Sequence, residues 1–399
     1  MSTPKIGVIG AGIVGLAVAR RLQQKLQADV TVVDKEDVVA AHQTGHNSNV
    51  VHSGVYYPPG SLKATLCRRG VGLLRDYCTQ RGLPYDELGK VIVAVRPDEL
   101  TRLNDLAKRA VDNGIPDTRV IDRAELRERE PHVEGVSALL IPSTAVVSFP
   151  AIAREFARDI TGAGGEIRLG RRVVGIAAGS TGVVITTDTE EMTFDHVVVC
   201  AGLQSSTIAE ISGAPRDPEI IPFRGEYYEL VASRSDLVRG LVYPVPDPRY
   251  PFLGVHFTRG VDGHVHVGPN AVPALAQEGY RWRDVELKQL WRSVSYPGMR
   301  RLARHHWRMG TSEIAGSVSK SVFLRRARDY IPELAPTDIV RAESGVRAQA
   351  LKPDGNLVDD FVIHHRPGIT LVRNAPSPAA TASLAIAEHI VEVYDRSRP

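Results

Sequence analysis

Gly10, Gly12 and Gly15 hold the spacing GxGxxG within the run VIGAGIVG, and an acid follows at Asp34. That set suits a dinucleotide. Gly10 permits a sharp turn, Gly12 lets backbone approach a pyrophosphate with no Cβ in the way, and Gly15 allows a helix to pack closely on a strand. A helix beginning there turns free N–H groups and the positive end of its dipole toward phosphates. Asp34 is placed to accept hydrogen bonds from an adenosine ribose. Three histidines, His46, His52 and His256, lie in polar segments, and imidazole, with an ordinary pKa near 6.5, suits proton removal at neutral pH. Arg224, between Phe223 and Gly225, and Arg347, inside SGVRAQA, are the arginines least explicable as solvated surface. A buried guanidinium must meet an anion, either a bound acid or a neighbouring carboxylate, here Glu226 or Glu343.

The elements that must position these groups follow from local pattern. Lys5 to Ile9 reads as a short apolar strand, Ile13 to Leu26 as a helix, and Asp29 to Val33 as a second strand ending at Asp34. The polar segment AHQTGHNSNVVHSGVYYPPGSLKATLCRRG begins as loop and becomes helical near Leu62. Ala151 to Thr161 reads as an amphipathic helix, Glu166 to Arg168 and Val173 to Ile176 as strands, and Val183 to Thr187 with Glu191 to Phe194 as a hairpin. His196 to Cys200 is a buried strand closed by Ala201 and Gly202. Short β-rich segments run from Pro222 to Gly268, Trp282 to Trp307 returns to helix, and Ile369 to Val372 leads through a small-residue turn into a final long helix. A cofactor domain from residues 1–90, 145–210 and 340–399 and a substrate domain from 91–144 and 211–339 are expected, with ligand in the crevice at the carboxyl ends of the parallel strands.

At 399 residues the chain is long enough for a large dry interior. Its 49 basic and 46 acidic residues leave a net charge of +3, which removes nucleic acid as a default partner. Three cysteines, Cys67, Cys78 and Cys200, lack metal-ligand spacing and fit a reducing, cytoplasmic setting. No apolar run reaches the roughly 18 residues that span a bilayer, and no removable signal is expected before the first strand. MRRLARHHWRMG, with Met299, Leu302 and Trp307 among basic residues, reads either as a solvated helix face or as a peripheral contact with the inner face of a membrane.

Over nearly its full length the chain resembles the glycine and D-amino-acid oxidase superfamily, and within it the L-2-hydroxyglutarate oxidase/dehydrogenase family. The segments that carry the resemblance are HQTGHNSNVVHSGVYYPPGSLKATLCRRG, VVVCAGL, FRGEYYEL, LVYPVPDPRYPFLGVHFTRGVDGHVHVGPNAV, ESGVRAQALKPDGNLVDDF and NAPSPAATASL. It implies an α/β fold in which a Rossmann-like FAD-binding domain is interleaved with an α+β substrate domain built on an antiparallel sheet. It implies non-covalent FAD, and oxidation of a 2-hydroxy diacid with electrons passed to oxygen or a membrane quinone. Gly10, Gly12, Ile13, Val14 and Gly15 would take the pyrophosphate, and Asp34 with Lys35 the adenosine end. Thr44, Gly45, His46, Asn47 and Ser48 would form the flavin loop. Val173 would meet adenine, Ala201, Gly202 and Leu203 would abut the pyrophosphate side, and Gly345 belongs to the same set. N–H groups of the turn Ser377, Pro378, Ala379, Ala380 and Thr381 would face N1 and O2 of the flavin. Asn49 departs from the family's glycine.

Oxidation of such a hydroxy acid needs a base, for which His52 is favoured over His256. Its two carboxylates need cations, for which Arg224 and Arg347 are the leading candidates and Lys352 a weaker third. Tyr56 and Tyr243 could lend hydroxyl donors, or simply pack. An amino-acid or secondary-amine oxidase is the rival enzyme. A flavoprotein without turnover that docks on a membrane or partner, and a nicotinamide dehydrogenase, complete the alternatives.

Overall fold

Lys5–Ile9 is an inner strand of a six-stranded sheet in the order Val362–Arg366, Ile369–Asn374, His196–Val199, Lys5–Ile9, Asp29–Val33, Glu166–Arg168. All pairings are parallel except that of the edge strand Val362–Arg366, which runs antiparallel to its neighbour. This is a computed structural model, and it describes residues 3–248, 253–305, 317 and 319–397. Parallel strands covered on both faces read as continuous apolar runs, as HVVV and ITLVRN do here. On one face the helices Ile13–Leu26, Leu62–Arg81, Phe149–Gly162 and Ser383–Ser397 bury Leu16, Leu74, Phe156 and Ile390 in a shared core. On the other, the antiparallel strands Val173–Gly179, Gly182–Thr187 and Glu191–Phe194 cover Ile9, Val33 and Val199.

Helix Phe149–Gly162 shows why local sequence suffices for such elements. Phe149, Ile152, Ala153, Phe156 and Ile160 fall on one buried stripe, and the Ser148 hydroxyl accepts from the Ala151 N–H at 3.3 Å to cap it. The expected helix over Trp282 to Trp307 is, by contrast, broken. Helical residues are Leu287–Ser295 and then 297–305, with Tyr296 extended at φ −67°, ψ 127°. Pro297 causes this, because its ring disfavours helical backbone in the preceding residue. Met299 and Leu302 turn inward against Ile221, Phe223, Tyr296 and Leu351, whereas Trp307 lies outside the described residues.

The second layer is an eight-stranded sheet in the order Ile339–Arg341, Tyr228–Leu230, Val265–Gly268, His256–Arg259, Leu241–Pro244, Lys90–Ala94, Ser137–Ile141, Arg119–Asp122. It is antiparallel except where Leu241–Pro244 runs parallel to Lys90–Ala94. A smaller sheet, Val272–Pro273, Glu219–Gly225 and Gly345–Leu351, lies beside it. Helix Leu100–Asp112 packs Leu103, Leu106 and Ala110 over Ile92, Leu139 and Tyr243, in a cluster that also takes in Val50 and Val55 from the first layer's flavin-loop region. Strand pairing alone therefore puts Lys90, Ile339–Arg341 and Gly345–Leu351 in the sheets of the second layer.

Candidate active site

Where Lys5–Ile9, Asp29–Val33, His196–Val199 and Ile369–Asn374 end, a cavity of about 1140 Å³ opens between the layers. That exceeds the usual range for a single small ligand, about 300–1,000 Å³, and leaves room for a dinucleotide together with a substrate. At its floor Gly10 adopts φ +109°, and a Cβ there would sit 2.3 Å from the Cys200 carbonyl oxygen. A Cβ on Gly15 would lie 2.0 Å from the Gly10 carbonyl oxygen. Gly12 differs, since the only atom its Cβ would meet is the Thr44 hydroxyl oxygen at 3.4 Å, with cavity beyond. The first and third glycines thus serve the turn, and the second keeps space for the ligand.

Asp34 is fixed by the turn it serves. One carboxylate oxygen accepts from the Ala11 N–H at 2.6 Å and the other from the Glu36 N–H at 2.9 Å, leaving acceptor capacity for ribose hydroxyls. Thr44 Oγ1 accepts from the Ile13 N–H at 3.0 Å, so it caps the first helix as well as lining the cavity. Lys35 is held by Glu36, by His42 at 3.0 Å and by Glu278 at 2.9 Å. In the turn before the last helix, the N–H groups of Ala380 and Thr381 have no hydrogen-bond partner among the described residues, although both residues line the cavity. Every residue expected to touch cofactor lines it except Gly45. Gly45 instead closes a tight turn, donating its N–H to His42 at 2.8 Å with its Cα face 2.6 Å, at Cβ distance, from the Ala40 carbonyl oxygen.

Asn49 also stands apart from the cavity lining. Its φ of +56° explains the residue, because glycine and asparagine are the ones that enter this left-handed region most readily. Its side-chain oxygen accepts from the Phe149 N–H at 3.2 Å, tying the loop to the start of a helix.

The other end of the cavity gathers His52, Tyr56, Tyr243, His256 and Arg347. His52 follows the short strand Val50–Val51, and its backbone is held by Thr381 Oγ1 at 3.1 Å and by the Cys67 thiol, which donates to its carbonyl at 3.1 Å. Its ring Nδ1 is buried without a partner. Burial, then the positive charge of Lys90, pushes the His52 pKa down to about 3. Burial does the same to His256, also to about 3, against the opposing effect of the Gly254 carbonyl, which accepts from its Nδ1 at 2.9 Å. Both imidazoles are neutral at ordinary pH. The His256 ring stacks on Tyr243 with centroids 4.1 Å apart.

Arg347 reaches the cavity without any ion pair or hydrogen bond to its side chain among the described residues. Arg224 does not reach it. In the antiparallel ladder Phe223 lies opposite Arg347 and Arg224 opposite Val346. Residues directly opposite share a face and successive residues alternate, so the two arginines project from opposite faces. Arg224 pairs with Glu226 at 3.2 Å and stacks over Trp282 at 4.2 Å. Lys352 is not among the lining residues either. Residues the sequence reading passed over are Lys63, paired with Asp359 at 2.8 Å, and Arg102 and Arg109 on helix Leu100–Asp112, all on the cavity wall. Lys90 lies behind that wall, and a lysine opening the apolar run KVIVA met the same criterion that singled out Arg224.

A parallel nucleotide-type sheet, a glycine turn facing open space, and a second layer lining the same cavity with neutral histidines and a guanidinium unpaired among the described residues are the architecture of a dinucleotide-dependent oxidoreductase. The chain belongs to the FAD dependent oxidoreductase family, which it matches over residues 5–393. FAD is its cofactor, and the space beside Gly12 and the unpaired N–H groups of Ala380 and Thr381 fit that group. The chain is 42% identical over 405 residues to the L-2-hydroxyglutarate dehydrogenase, mitochondrial, of Homo sapiens, covering 97% of this chain and 88% of that one. It is 41% identical over 387 residues to the L-2-hydroxyglutarate dehydrogenase of Indibacter alkaliphilus, with 96% and 97% covered. The L-α-glycerophosphate oxidase of Mycoplasma pneumoniae, solved with FAD bound, shares the fold at a TM-score of 0.80 and 22% identity, over 99% of this chain and 95% of that one.

Proposed function

We propose that this chain oxidises L-2-hydroxyglutarate, or a close 2-hydroxy diacid, to the 2-oxo acid. The observation that carries this reading is a neutral imidazole, His52, whose ring Nδ1 has no partner among the described residues, in one cavity with Arg347, whose guanidinium has none there either. The relatives named for this activity, at 41–43% identity over nearly the whole chain, support it. Bound FAD supplies the two-electron acceptor for the hydrogen on the substrate Cα. Arg347 grips one carboxylate through paired N–H donors, a ring nitrogen of His52 takes the hydroxyl proton, and the Tyr56 and Tyr243 hydroxyls orient the acid. The cofactor is held without a covalent bond. Burial lifts the Cys200 thiol to about 12, which leaves it a poor nucleophile.

Electrons leave to oxygen or a quinone. Quinone is favoured by an exposed apolar stripe on helix Leu287–Ser295, where Leu287 is 78% and Trp291 73% exposed, with Val294 on the same face. Exposed Arg283 and Lys288 stand next to it in the chain with exposed Glu286 between them, and exposed Arg300 and Arg304 follow on the next helical stretch. Among the described residues no helix is long and apolar enough to cross a membrane. The deciding experiment adds L-2-hydroxyglutarate, glutamate and N-methyl amino acids separately to the FAD-loaded protein without air. Bleaching by the hydroxy acid alone supports the proposal, and bleaching by the amines alone replaces it with an amine oxidase. Reoxidation by oxygen or a soluble quinone then identifies the acceptor.

A further inference from the structure

Lys90 opens the strand Lys90–Ala94, whose other members are apolar, and is itself 1% exposed. Its ammonium nitrogen has no hydrogen-bond partner among the described residues. Two aromatic faces stand in for one. The nitrogen lies 4.9 Å from the Tyr56 ring centroid and 5.1 Å from that of Tyr243, and both rings line the substrate end of the cavity. Contacts of this kind stabilise a desolvated cation by less than the burial of an unpaired charge costs. Accordingly, burial pushes the Lys90 amine down to about 7.

Among the described residues, the groups that surround it offer no anion. Its strand partners are Leu241 and Ile141, both apolar. The loop after Val50–Val51 brings Tyr56 and His52, helix Leu62–Arg81 brings Cys67 and Lys63, and the strands at 241 and 256 bring Tyr243 and His256. Burial keeps Cys67 a thiol, with its pKa raised to about 12, and Tyr56 and Tyr243 are raised by burial too. Other cations at the cavity are differently placed. Lys63 is paired with Asp359 and Arg102 with Asp247, while Arg347 and Arg109 sit on the open wall. Lys90 is thus a buried amine whose compensating negative charge has to arrive from outside.

We propose that Lys90 is a positioning residue that takes up a proton as a dicarboxylate enters the cavity and, acting through the phenol rings of Tyr56 and Tyr243, makes the site select acids over uncharged alcohols. This rests on the reading of the cavity as a 2-hydroxy diacid site. Above pH 7 most of its charge then arrives with the substrate. In the free protein the low charge behind the phenols spares the two neutral histidines a permanent cation.

The test uses glutarate, a dicarboxylate with no hydroxyl to oxidise, and the FAD-loaded protein. Binding is followed by the flavin absorbance change and by calorimetry in two buffers of different ionisation enthalpy, from pH 6 to 9.5. The wild type is expected to take up a proton with glutarate, most of all between pH 7 and 8, where the free amine has begun to lose its proton and the bound one keeps it. Lys90→Met is expected to lose that uptake and to bind glutarate roughly tenfold more weakly or worse at pH 7, with an affinity flat in pH. Its thermal midpoint should stay at or above that of the wild type, since a buried polar nitrogen without a hydrogen-bond partner has been replaced by an apolar side chain. Wild-type uptake and affinity retained in Lys90→Met would overturn the assignment while leaving the proposed function intact. Should the variant not fold, the wild type alone decides, because glutarate binding without proton uptake between pH 7 and 9 contradicts the proposal. Failure of the wild type to bind glutarate at any pH would remove both readings together.

Discussion

If His52 takes the hydroxyl proton as proposed, its surroundings contribute by keeping the ring unprotonated. A neutral imidazole is the active form, and burial holds its pKa near 3, so lowering the pH from 7 to 5 leaves that form intact. The rate of anaerobic flavin reduction at low substrate, which reports the free protein, should therefore show no acid limb at 6.5. If Lys90 acts as proposed, the same quantity falls as pH rises above about 7, where the amine is neutral. An acid limb near 6.5 in stopped-flow traces, with the rate falling below that pH, would assign proton removal elsewhere. His52→Gln should slow flavin reduction by roughly 10²–10⁴-fold while glutarate affinity changes little. The two arginines should separate by assay. Arg347→Met is expected to weaken glutarate binding by roughly two orders of magnitude, as loss of a charged bidentate contact does. Arg224→Met should leave that affinity alone and lower the thermal midpoint, since Glu226 loses its partner. Sequence flagged both arginines as buried charges. Which of them faces the ligand depended on the pairing of Phe223 with Arg347, a register written in two segments more than a hundred residues apart.

At the scale of elements, the glycine turn makes a sharper prediction than loss of function. Gly10→Ala sets a Cβ 2.3 Å from backbone at a φ of +109°, so the variant should be destabilised with or without cofactor. Gly12→Ala meets nothing closer than 3.4 Å. It should fold with a thermal midpoint like that of the wild-type apoprotein but carry far less FAD, as its added methyl enters ligand space. Midpoints and flavin-to-protein ratios of the two variants check this, and a Gly12→Ala protein with full flavin content would remove the pyrophosphate from that position. The stripe on Leu287–Ser295 has its own check. If it meets lipid as proposed, the wild type floats with anionic vesicles and Leu287→Glu with Trp291→Glu does not, with flavin reduction unaltered; a wild type that does not float removes the membrane contact. Elements with a strong local period, such as Lys5–Ile9, Ile13–Leu26 and Phe149–Gly162, were legible in the sequence because their burial stripes repeat over neighbouring residues. The helix expected across Pro297 failed where one residue's backbone preference outweighed the surrounding apolar pattern.

For the whole molecule the consequence lies in how the chain is threaded. The nucleotide sheet draws strands from near both termini and from the middle, while the second sheet pairs Leu241–Pro244 with Lys90–Ala94 across about 150 residues of chain. Such distant pairings carry no local signature, which is why the sequence yielded the second layer only as β-rich and could not supply its strand order or its one parallel pair. The cavity wall is built from both layers, with Gly10, Asp34 and Thr381 from one and Tyr243, His256 and Arg347 from the other. A cofactor that fills the cavity from one layer to the other would bind only when both are folded. FAD should therefore raise the stability of the two layers as a unit, by about 2.7 kcal/mol at a free concentration of 100 times Kd. Removing it should split or broaden a single thermal transition. Hydrogen exchange gives the finer readout. Adding FAD to apoprotein should slow exchange at the carboxyl end of Lys5–Ile9 and in His256–Arg259 together, because opening either layer releases the ligand. Protection confined to the first strand would mean that the second sheet folds independently of the cofactor, and that the histidines and Arg347 are brought over the flavin only by substrate.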